Sequence, residues 1–276
     1  VDKMKIGIIG LGIVGGTIKQ CFEHIHEIFV HDPVLNSSMA DVISNCEMAY
    51  IAVPTPSDES GRCDTSIVED VLKQLPEGFT AVIKSTIIPG TTENLQQRFP
   101  NLKIAYSPEF LVERNRIEDF KNQKILVVGT AHQDVAELVK EHHVSAGVLK
   151  TGQFFHTSAT EAEMVKYTKN NFYAMKVIFA NQIYDICQKL NVDYDTVKQI
   201  ITSPQDQIIG ESHLEPIMGL RRGFGGKCLP KDTLALQKIA IDLDIDYELL
   251  TAIQNDNSRL REIVTGKPSD VETEDD

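Results

Sequence analysis

The first fifteen residues limit the possible folds more than any later stretch. Lys5-Ile6-Gly7-Ile8-Ile9 is a short apolar run of strand character, Gly10-Leu11-Gly12-Ile13-Val14-Gly15 follows it, and an amphipathic segment continues through Phe22. Each glycine of such a strand–turn–helix unit has its own task. The first permits the tight turn, the second lets a pyrophosphate reach the amides at the helix N-terminus, and the third lets helix and strand pack closely. The same turn also occurs in α/β domains that bind no ligand. Here a second strand-like run, Ile28-Phe29-Val30, leads to Asp32, about twenty residues on, where a carboxylate can accept hydrogen bonds from a ribose 2′-hydroxyl. A 2′-phosphate would meet that carboxylate with no lysine or arginine between Pro33 and Ser38, so the pattern predicts NAD rather than NADP.

Apolar runs recur at 48–53, 81–83, 103–106 and 124–128, and helical patterns separate them near 66–75, 91–98, 109–119 and 132–142. This alternation predicts an α/β chain whose residues 1–156 form a Rossmann-like, doubly wound and mostly parallel sheet, with ligands beyond the C-terminal strand ends. The residues at those ends are Pro54-Thr55-Pro56, Lys84-Ser85-Thr86 with Pro89-Gly90-Thr91, and Ser107-Pro108-Glu109-Phe110-Leu111-Val112-Glu113. A helix starting at Pro108 would put Glu109 and Glu113 on one face, although acids in a first turn often only complement the helix dipole.

The second half reads as all-helical. Ser158-Ala159-Thr160-Glu161 is a capping-box signature, and the stretch from there to Leu190 contains neither proline nor glycine. Met164, Phe172, Met175, Phe179, Ile183, Ile186 and Leu190 form an apolar stripe along it, the pattern of a core face or a subunit interface. A helix of that length, roughly 50 Å at 1.5 Å per residue, predicts the long central spine of a helical domain over 157–265 and a homodimer through it. Lys166 and Asn170 lie one turn apart and off the stripe, where an ammonium and an amide can hold a developing oxyanion or simply face solvent. Shorter helices are expected near 193–202, 231–242 and 246–263, with an irregular 204–222 that carries His213. The acidic residues 266–276 have the composition of a disordered tail.

Between those helices lies Gly223-Phe224-Gly225-Gly226-Lys227-Cys228-Leu229-Pro230-Lys231-Asp232. A thiol at the mouth of a helix entered through Pro230 gains thiolate character from the dipole, and Asp232 falls one turn further on. The alternative is a glycine turn with a buried cysteine acting as a small hydrophobe.

Composition narrows the function classes. A net charge of −13 argues against nucleic acid as a partner. The five cysteines are scattered, with no C-x-x-C or H-E-x-x-H pattern, so neither a disulfide framework nor a metal site is expected. No apolar run reaches about eighteen residues and no signal-peptide pattern opens the chain. A cytoplasmic protein without membrane association is the expectation.

Taken in order, the glycine fingerprint, Pro54-Thr55-Pro56, Lys84-Ser85-Thr86, Ser107–Glu113, Lys166 with Asn170, and the segment ending in Cys228 and Asp232 resemble the UDP-glucose/GDP-mannose dehydrogenase family. The resemblance runs from Lys5 to about Ile263. It implies oxidation of the C6 alcohol of a nucleotide sugar to a carboxylate with two NAD molecules, a step of polysaccharide biosynthesis. It further implies that Cys228 forms a thiohemiacetal and then a thioester, and that Asp232 and a water held by Thr86 manage protons. Lys166 and Asn170 would stabilise the oxyanion and Glu109 would assist hydrolysis. Gly10, Gly12, Ile13, Val14, Gly15, Asp32, Pro54, Thr55, Thr86 and Glu113 would contact NAD, with Asp32 at the adenosine ribose and Glu113 beside the nicotinamide.

The chain departs from the family pattern in three places. It stops where a C-terminal nucleotide-binding domain is expected; Arg114-Asn115-Arg116 replaces a Gly-x-Ala; and Asp206-Gln207-Ile208-Ile209-Gly210 replaces an Asp-x-Arg-Ile-Gly segment. Two other readings stay open. A two-domain β-hydroxyacid dehydrogenase shares the fingerprint and the Lys/Asn pair but needs no thiol, and a non-catalytic NAD-binding protein derived from the family needs neither.

Overall fold

The computed structural model describes residues 3–35, 37–56, 63–204, 209–210, 212–226 and 228–263. Asp206-Gln207-Ile208, Lys227 and the acidic tail from residue 266 lie outside the described residues. The chain divides into two compact units between Lys166 and Tyr167.

The first unit alternates strand and helix: β1 (Lys5–Ile9), α1 (Ile13–Phe22), β2 (Glu27–His31), α2 (Met39–Asn45), β3 (Met48–Ile51), α3 (Ser66–Leu72), β4 (Thr80–Ile83), α4 (Thr91–Arg98), β5 (Lys103–Tyr106), α5 (Arg116–Lys121), β6 (Ile125–Gly129), α6 (Gln133–Ser145) and β7 (Gln153–Thr157). The strands form one sheet in the order β2-β1-β3-β4-β5-β6-β7. The order reverses at β1, which pairs in parallel with both β2 and β3. Such a reversal opens a crevice beyond the strand ends where α/β sheets bind ligands. Within this sheet, among the described residues, the β5–β6 pairing alone is antiparallel, through Tyr106 opposite Gly129.

Side chains alternate between two buried layers along the central strands. Ile9, Ile51 and Ile83 belong to one layer, with Leu95 and Tyr106. Their sequence neighbours Ile8, Tyr50 and Val82 belong to the other, with Phe22, Phe120 and Val139. Two elements escape the sequence pattern. In α2 only Val42 is buried, and β7 is an edge strand of mixed exposure, so neither carries a readable apolar period. The helix expected at 109–119 is also displaced. Residues 107–112 are irregular, a 3₁₀ turn covers Glu113–Asn115, and α5 starts only at Arg116. Glu109 is buried and Glu113 exposed, so the two do not share a helical face.

The second layer holds a cluster of histidines. His26 Nε2 lies 2.9 Å from Ser145 Oγ, His142 Nδ1 lies 3.0 Å from Tyr50 Oη, and His143 Nδ1 lies 2.8 Å from the Val139 carbonyl oxygen. Phe22 meets the His143 ring edge-on at 5.2 Å. Burial depresses all three imidazoles, His142 and His143 to about 3.

The long helix α7 (Ala159–Leu190) begins in the first unit and continues into the second. Its capping box forms as the sequence indicates: Glu161 Oε2 accepts from Ser158 N at 2.9 Å, and Glu161 N donates to Ser158 Oγ at 3.3 Å. The second unit continues with α8 (Tyr194–Ile201), α9 (Leu229–Asp242) and α10 (Glu248–Arg261). It is not purely helical, because β8 (Ile217–Met218) and β9 (Arg221–Arg222) pair antiparallel across Gly219-Leu220, where Gly219 has φ +56°. The core face of α7 is Tyr167, Ala174, Val177, Ile178, Ala180 and Cys187, while Phe172, Phe179, Ile186 and Leu190 of the apolar stripe are exposed. Met164 is exposed as well, while Met175 and Ile183 pack against core clusters, so most of the stripe, but not all of it, lies off the core.

The histidine cluster gives stability a pH dependence. An unfolded imidazole titrates near 6.5, whereas the folded rings resist protonation until about 3. Stability is thus full above pH 6.5 and falls as pH drops from 6.5 towards 3, because the unfolded state binds more protons there. Urea unfolding at pH 7 and pH 5 should show a loss on the order of 1 kcal/mol or more per ring, and His143→Phe should reduce that difference.

Candidate functional site

The dinucleotide cradle begins where β1 ends. Gly10 has φ +90°, and a Cβ there would sit 2.6 Å from the Ala52 carbonyl oxygen. A Cβ at Gly15 would lie 1.9 Å from the Gly10 carbonyl oxygen, so α1 rests directly on the turn. Around Gly12, the N-cap of α1, a Cβ would meet nothing within 4 Å. The first and third glycines are thus filled by the protein itself, and the space over the second remains for a phosphate at the helix N-terminus. This cradle fits a dinucleotide pyrophosphate, with Ile13 and Val14 supplying the first helical amides.

Asp32 follows β2 and is tied to the same turn. Its Oδ2 accepts from Leu11 N at 2.7 Å and its Oδ1 from Val34 N at 2.9 Å. These amides hold the carboxyl below its usual range. Each oxygen keeps a further lone pair, as a ribose diol requires.

After β3, Pro54 and Pro56 are exposed while Thr55 is buried and donates from Oγ1 to the Thr86 carbonyl oxygen at 2.7 Å. The Cys63 thiol lies 3.2 Å from that same oxygen. Thr86 itself is half-buried, past the end of β4. Glu109, beyond β5, is fixed from three sides. Phe110 N donates to its Oε1 at 2.8 Å, Lys84 Nζ stands 3.3 Å from its Oε2, and Lys166 Nζ donates to its carbonyl oxygen at 2.5 Å. That last bond pairs a carbonyl that the irregular backbone here leaves without a helical partner. Glu113 sits alone on its exposed 3₁₀ turn.

The second unit carries the thiol segment. Gly223 and Gly226 both have φ +74°, a conformation that a side chain would strain. Asn257 clamps the segment from α10: its Oδ1 accepts from Phe224 N at 2.8 Å and its Nδ2 donates to the Phe224 carbonyl at 3.0 Å. A Cβ on Gly225 would lie 3.0 Å from the Arg261 guanidinium carbon. The chain then enters α9 with Cys228 at the N-cap and Pro230 in the first turn, and the thiol makes no capping hydrogen bond. Cys228 is exposed, whereas Cys21, Cys46 and Cys187 are buried. Burial raises the Cys21 thiol and pushes Cys46 up to about 11. The buried-hydrophobe alternative therefore does not describe Cys228.

Asp232, one turn into α9, is 1% exposed. Its Oδ2 accepts from Asn170 Nδ2 at 2.5 Å, its carbonyl accepts from Asn171 Nδ2 at 3.2 Å, and Lys231 Nζ is 3.9 Å from its Oδ1. Asn170 is thus buried and engaged, not turned to solvent. His213 has φ +65° and its ring stacks on Tyr173 at 4.1 Å between centroids.

Lys84, Asn171 and Asn257 take part in these contacts without a role legible in the sequence. The one local signal for Lys84 was a lysine directly following the apolar strand β4. Asn171 and Asn257 gave no signal beyond their helical neighbours.

The chain thus joins a Rossmann-type unit with a glycine cradle to a mainly helical unit with an exposed thiol one turn before a buried aspartate, the arrangement of a two-unit dinucleotide-binding protein. Residues 30–145 match the UDP-glucose/GDP-mannose dehydrogenase family, NAD binding domain, and residues 160–259 match the same family's central domain. The chain belongs to that family. It is 32% identical to the UDP-glucose 6-dehydrogenase of Rickettsia felis, over 79% of this chain and 49% of that protein. It is 30% identical to YtcA of Bacillus subtilis, over 92% of this chain and 67% of that protein. Among solved structures, the UDP-glucose dehydrogenase of the archaeon Pyrobaculum islandicum superposes with a TM-score of 0.81 at 25% identity, covering 94% of this chain and 68% of that one. The chain thus spans about half the length of the Rickettsia relative. The cofactor that the family's NAD-binding domain takes is the one the Asp32 spacing indicates.

If Asp32 holds the adenosine ribose, Asp32→Ala should weaken NAD binding by about tenfold or more, the scale of a charge-assisted hydrogen bond, and narrow the gap to NADP. Isothermal titration with both cofactors reads this. Equal affinities for NAD and NADP in the parent protein would remove Asp32 as the selector.

Proposed function

We propose that this chain carries the chemical core of an NAD-dependent nucleotide-sugar 6-dehydrogenase, which oxidises a C6 alcohol to the carboxylate in two steps through a covalent bond to Cys228. The observation that carries the reading is the exposed, uncapped thiol at the start of α9 beside a buried Asp232 held by Asn170. A single-oxidation β-hydroxyacid dehydrogenase has no use for that thiol, and a non-catalytic descendant has no reason to keep its surroundings ordered.

When bound, NAD accepts the hydride of each oxidation. Gly10, Gly12, Ile13, Val14 and Gly15 receive its pyrophosphate, Asp32 its adenosine ribose, and Pro54, Thr55, Thr86 and Glu113 its remaining length. The protein's own part begins with Asp232, which, with a water held by Thr86, relays the proton of the C6 hydroxyl as the alcohol becomes an aldehyde. Cys228 attacks that aldehyde through sulfur, and the Lys166 ammonium and the Asn170 amide stabilise the oxygen as it gains charge. Loss of the second hydride leaves a thioester on Cys228. Glu109 then takes a proton from the water that cleaves it, the C–S bond breaks, and the carboxylic acid departs from a regenerated thiolate.

The substrate class, a UDP- or GDP-linked sugar, is supported by family membership. A place in polysaccharide biosynthesis and a cytoplasmic site of action accord with that membership. No described helix is long and apolar enough to cross a membrane.

Counting NADH released per nucleotide sugar tests the reading. Two are expected; one would favour a β-hydroxyacid dehydrogenase and none a non-catalytic protein. Cys228→Ser should bind NAD normally yet lose net oxidation by orders of magnitude, because an alkoxide is harder to form and a poorer leaving group. Glu109→Gln should stall later and accumulate a sugar adduct on Cys228, visible by intact mass. Two NADH at the parent rate from Cys228→Ser would refute the covalent route.

We further propose a homodimer through α7, since Phe172, Phe179, Ile186 and Leu190 are all about half or more exposed along one stripe. An exposed apolar strip of this length calls for a covering surface. Sedimentation should show a dimer at micromolar concentration and a shift towards monomer in Phe179→Asp; a parent that sediments only as monomer refutes the assignment.

A further inference from the structure

Lys84 is the side chain at the candidate site that the proposed chemistry leaves without a task. It follows the last residue of β4, is 3% exposed, and has its Nζ 3.3 Å from both Glu109 Oε2 and Ser107 Oγ. Glu109 is itself only 7% exposed. Lys166 also touches Glu109, but at the carbonyl oxygen, so Lys84 is the ammonium that faces the carboxylate. Burial pulls the Lys84 ammonium below the usual lysine range, and the Glu109 carboxylate opposes that pull.

Two buried charges are expensive to keep. Replacing such a pair by apolar side chains of similar volume is often neutral or stabilising, while removing one partner strands the other. Its retention beside a water-activating carboxylate therefore has a chemical explanation. A buried carboxylate that is to accept a proton from water needs a counter-charge beside it, and among the described residues Lys84 Nζ is the ammonium within 4 Å of the Glu109 carboxylate oxygens. Phe110 N donates to Oε1, while Nζ stands 3.3 Å from Oε2 as an ion pair that leaves Oε2 free of any hydrogen bond among the described residues, so that oxygen can accept from a water.

We propose that Lys84 is a positioning residue for thioester hydrolysis: it supplies the counter-charge of the Glu109 carboxylate and orients it so that Glu109 can activate the hydrolytic water. The inference rests on the nucleotide-sugar dehydrogenase reading and deepens its last step. In that step water oxygen bonds to the thioester carbon, Glu109 receives the water proton, and the C–S bond breaks with its electron pair leaving on sulfur. Lys84 gains and loses nothing; it holds the base. Among the described residues, the other titratable groups facing this pair are Lys166 from α7, His143 from α6 and Cys21 from α1.

The test is transient kinetics of Lys84→Met with NAD and a UDP-sugar panel. The variant should release two NADH per site in a first burst, then turn over more slowly by roughly tenfold to a thousandfold, within the range of a lost general base. It should carry the acyl adduct on Cys228 by intact mass, with KM for the sugar nearly unchanged. The pH at which hydrolysis reaches half its maximal rate should move upward, which a loss of packing alone would not produce. Should Lys84→Met fail to fold, Lys84→Gln, which keeps a donor for Ser107 but no charge, carries the same expectations. A turning-over parent with an unshifted hydrolysis profile and no adduct in the variant overturns the role of Lys84 alone. A parent that yields neither NADH nor adduct overturns the functional reading and this inference with it.

Discussion

The structure depends on the way one helix uses its polar side chains. Along α7, Glu163 accepts from Gly90 N at 2.6 Å and from Thr92 N at 2.8 Å, at the start of α4. Lys166 takes the Glu109 carbonyl, Asn170 and Asn171 take Asp232, and Lys176 donates to the Gly210 carbonyl at 2.6 Å. Asn181 Oδ1 accepts from Arg222 Nε at 3.0 Å. These bonds satisfy irregular backbone and helix ends that have no ladder partner of their own, and buried groups of that kind must be paired. Segments that would otherwise be free loops, 107–112 among them, are therefore held in one conformation. Glu163 shows the tension this creates. Burial raises its carboxyl to about 7, while the Thr92 hydroxyl and the two amides favour its charged form.

This arrangement also explains which parts of the chain could be read from sequence. The sheet was legible because Ile8, Ile9, Tyr50, Ile51, Val82 and Ile83 alternate between two buried layers, so strand period and burial agree. The glycine turn was legible because its spacing reflects contacts within fifteen residues, such as that of Gly15 with the Gly10 carbonyl. The capping box at Ser158 was legible for the same reason. On α7 the usual correspondence fails. Asn170, Asn171 and Asn181 are buried whereas Phe172, Phe179 and Leu190 are exposed, so most of the apolar stripe marks the wrong face for the core.

The candidate site divides along similar lines. Cys228, Asp232 and Asn170 could be nominated from residue type and spacing, and the structure ties Asn170 to Asp232 directly. Glu109 was nominated together with Glu113 on a helical face that does not exist. Its true environment is set by Lys84, 25 positions earlier, and by Lys166, 57 positions later, separations that no local period encodes. Pairings of that reach follow from topology, in which β4 and β5 lie side by side and deliver Lys84 and Glu109 from adjacent strand ends.

The β5–β6 junction has a consequence for how the first unit holds together. Two strands that share a single registered pair, Tyr106 with Gly129, cannot pass cooperativity through hydrogen bonds as the parallel strands do. Continuity there rests on side chains, among them Thr130 Oγ1 donating to the Ile104 carbonyl at 2.9 Å, and α7 closes over the junction at Gly129, where a Cβ would come within 2.6 Å of Ala162 Cβ. The segment β6–α6–β7 is thus a tile set against the edge of a five-stranded nucleotide-binding sheet. What binds it to that sheet is the second buried layer, where Val139, His142 and His143 of α6 meet Phe22 and Tyr50, so the histidine cluster serves as the weld between the two parts.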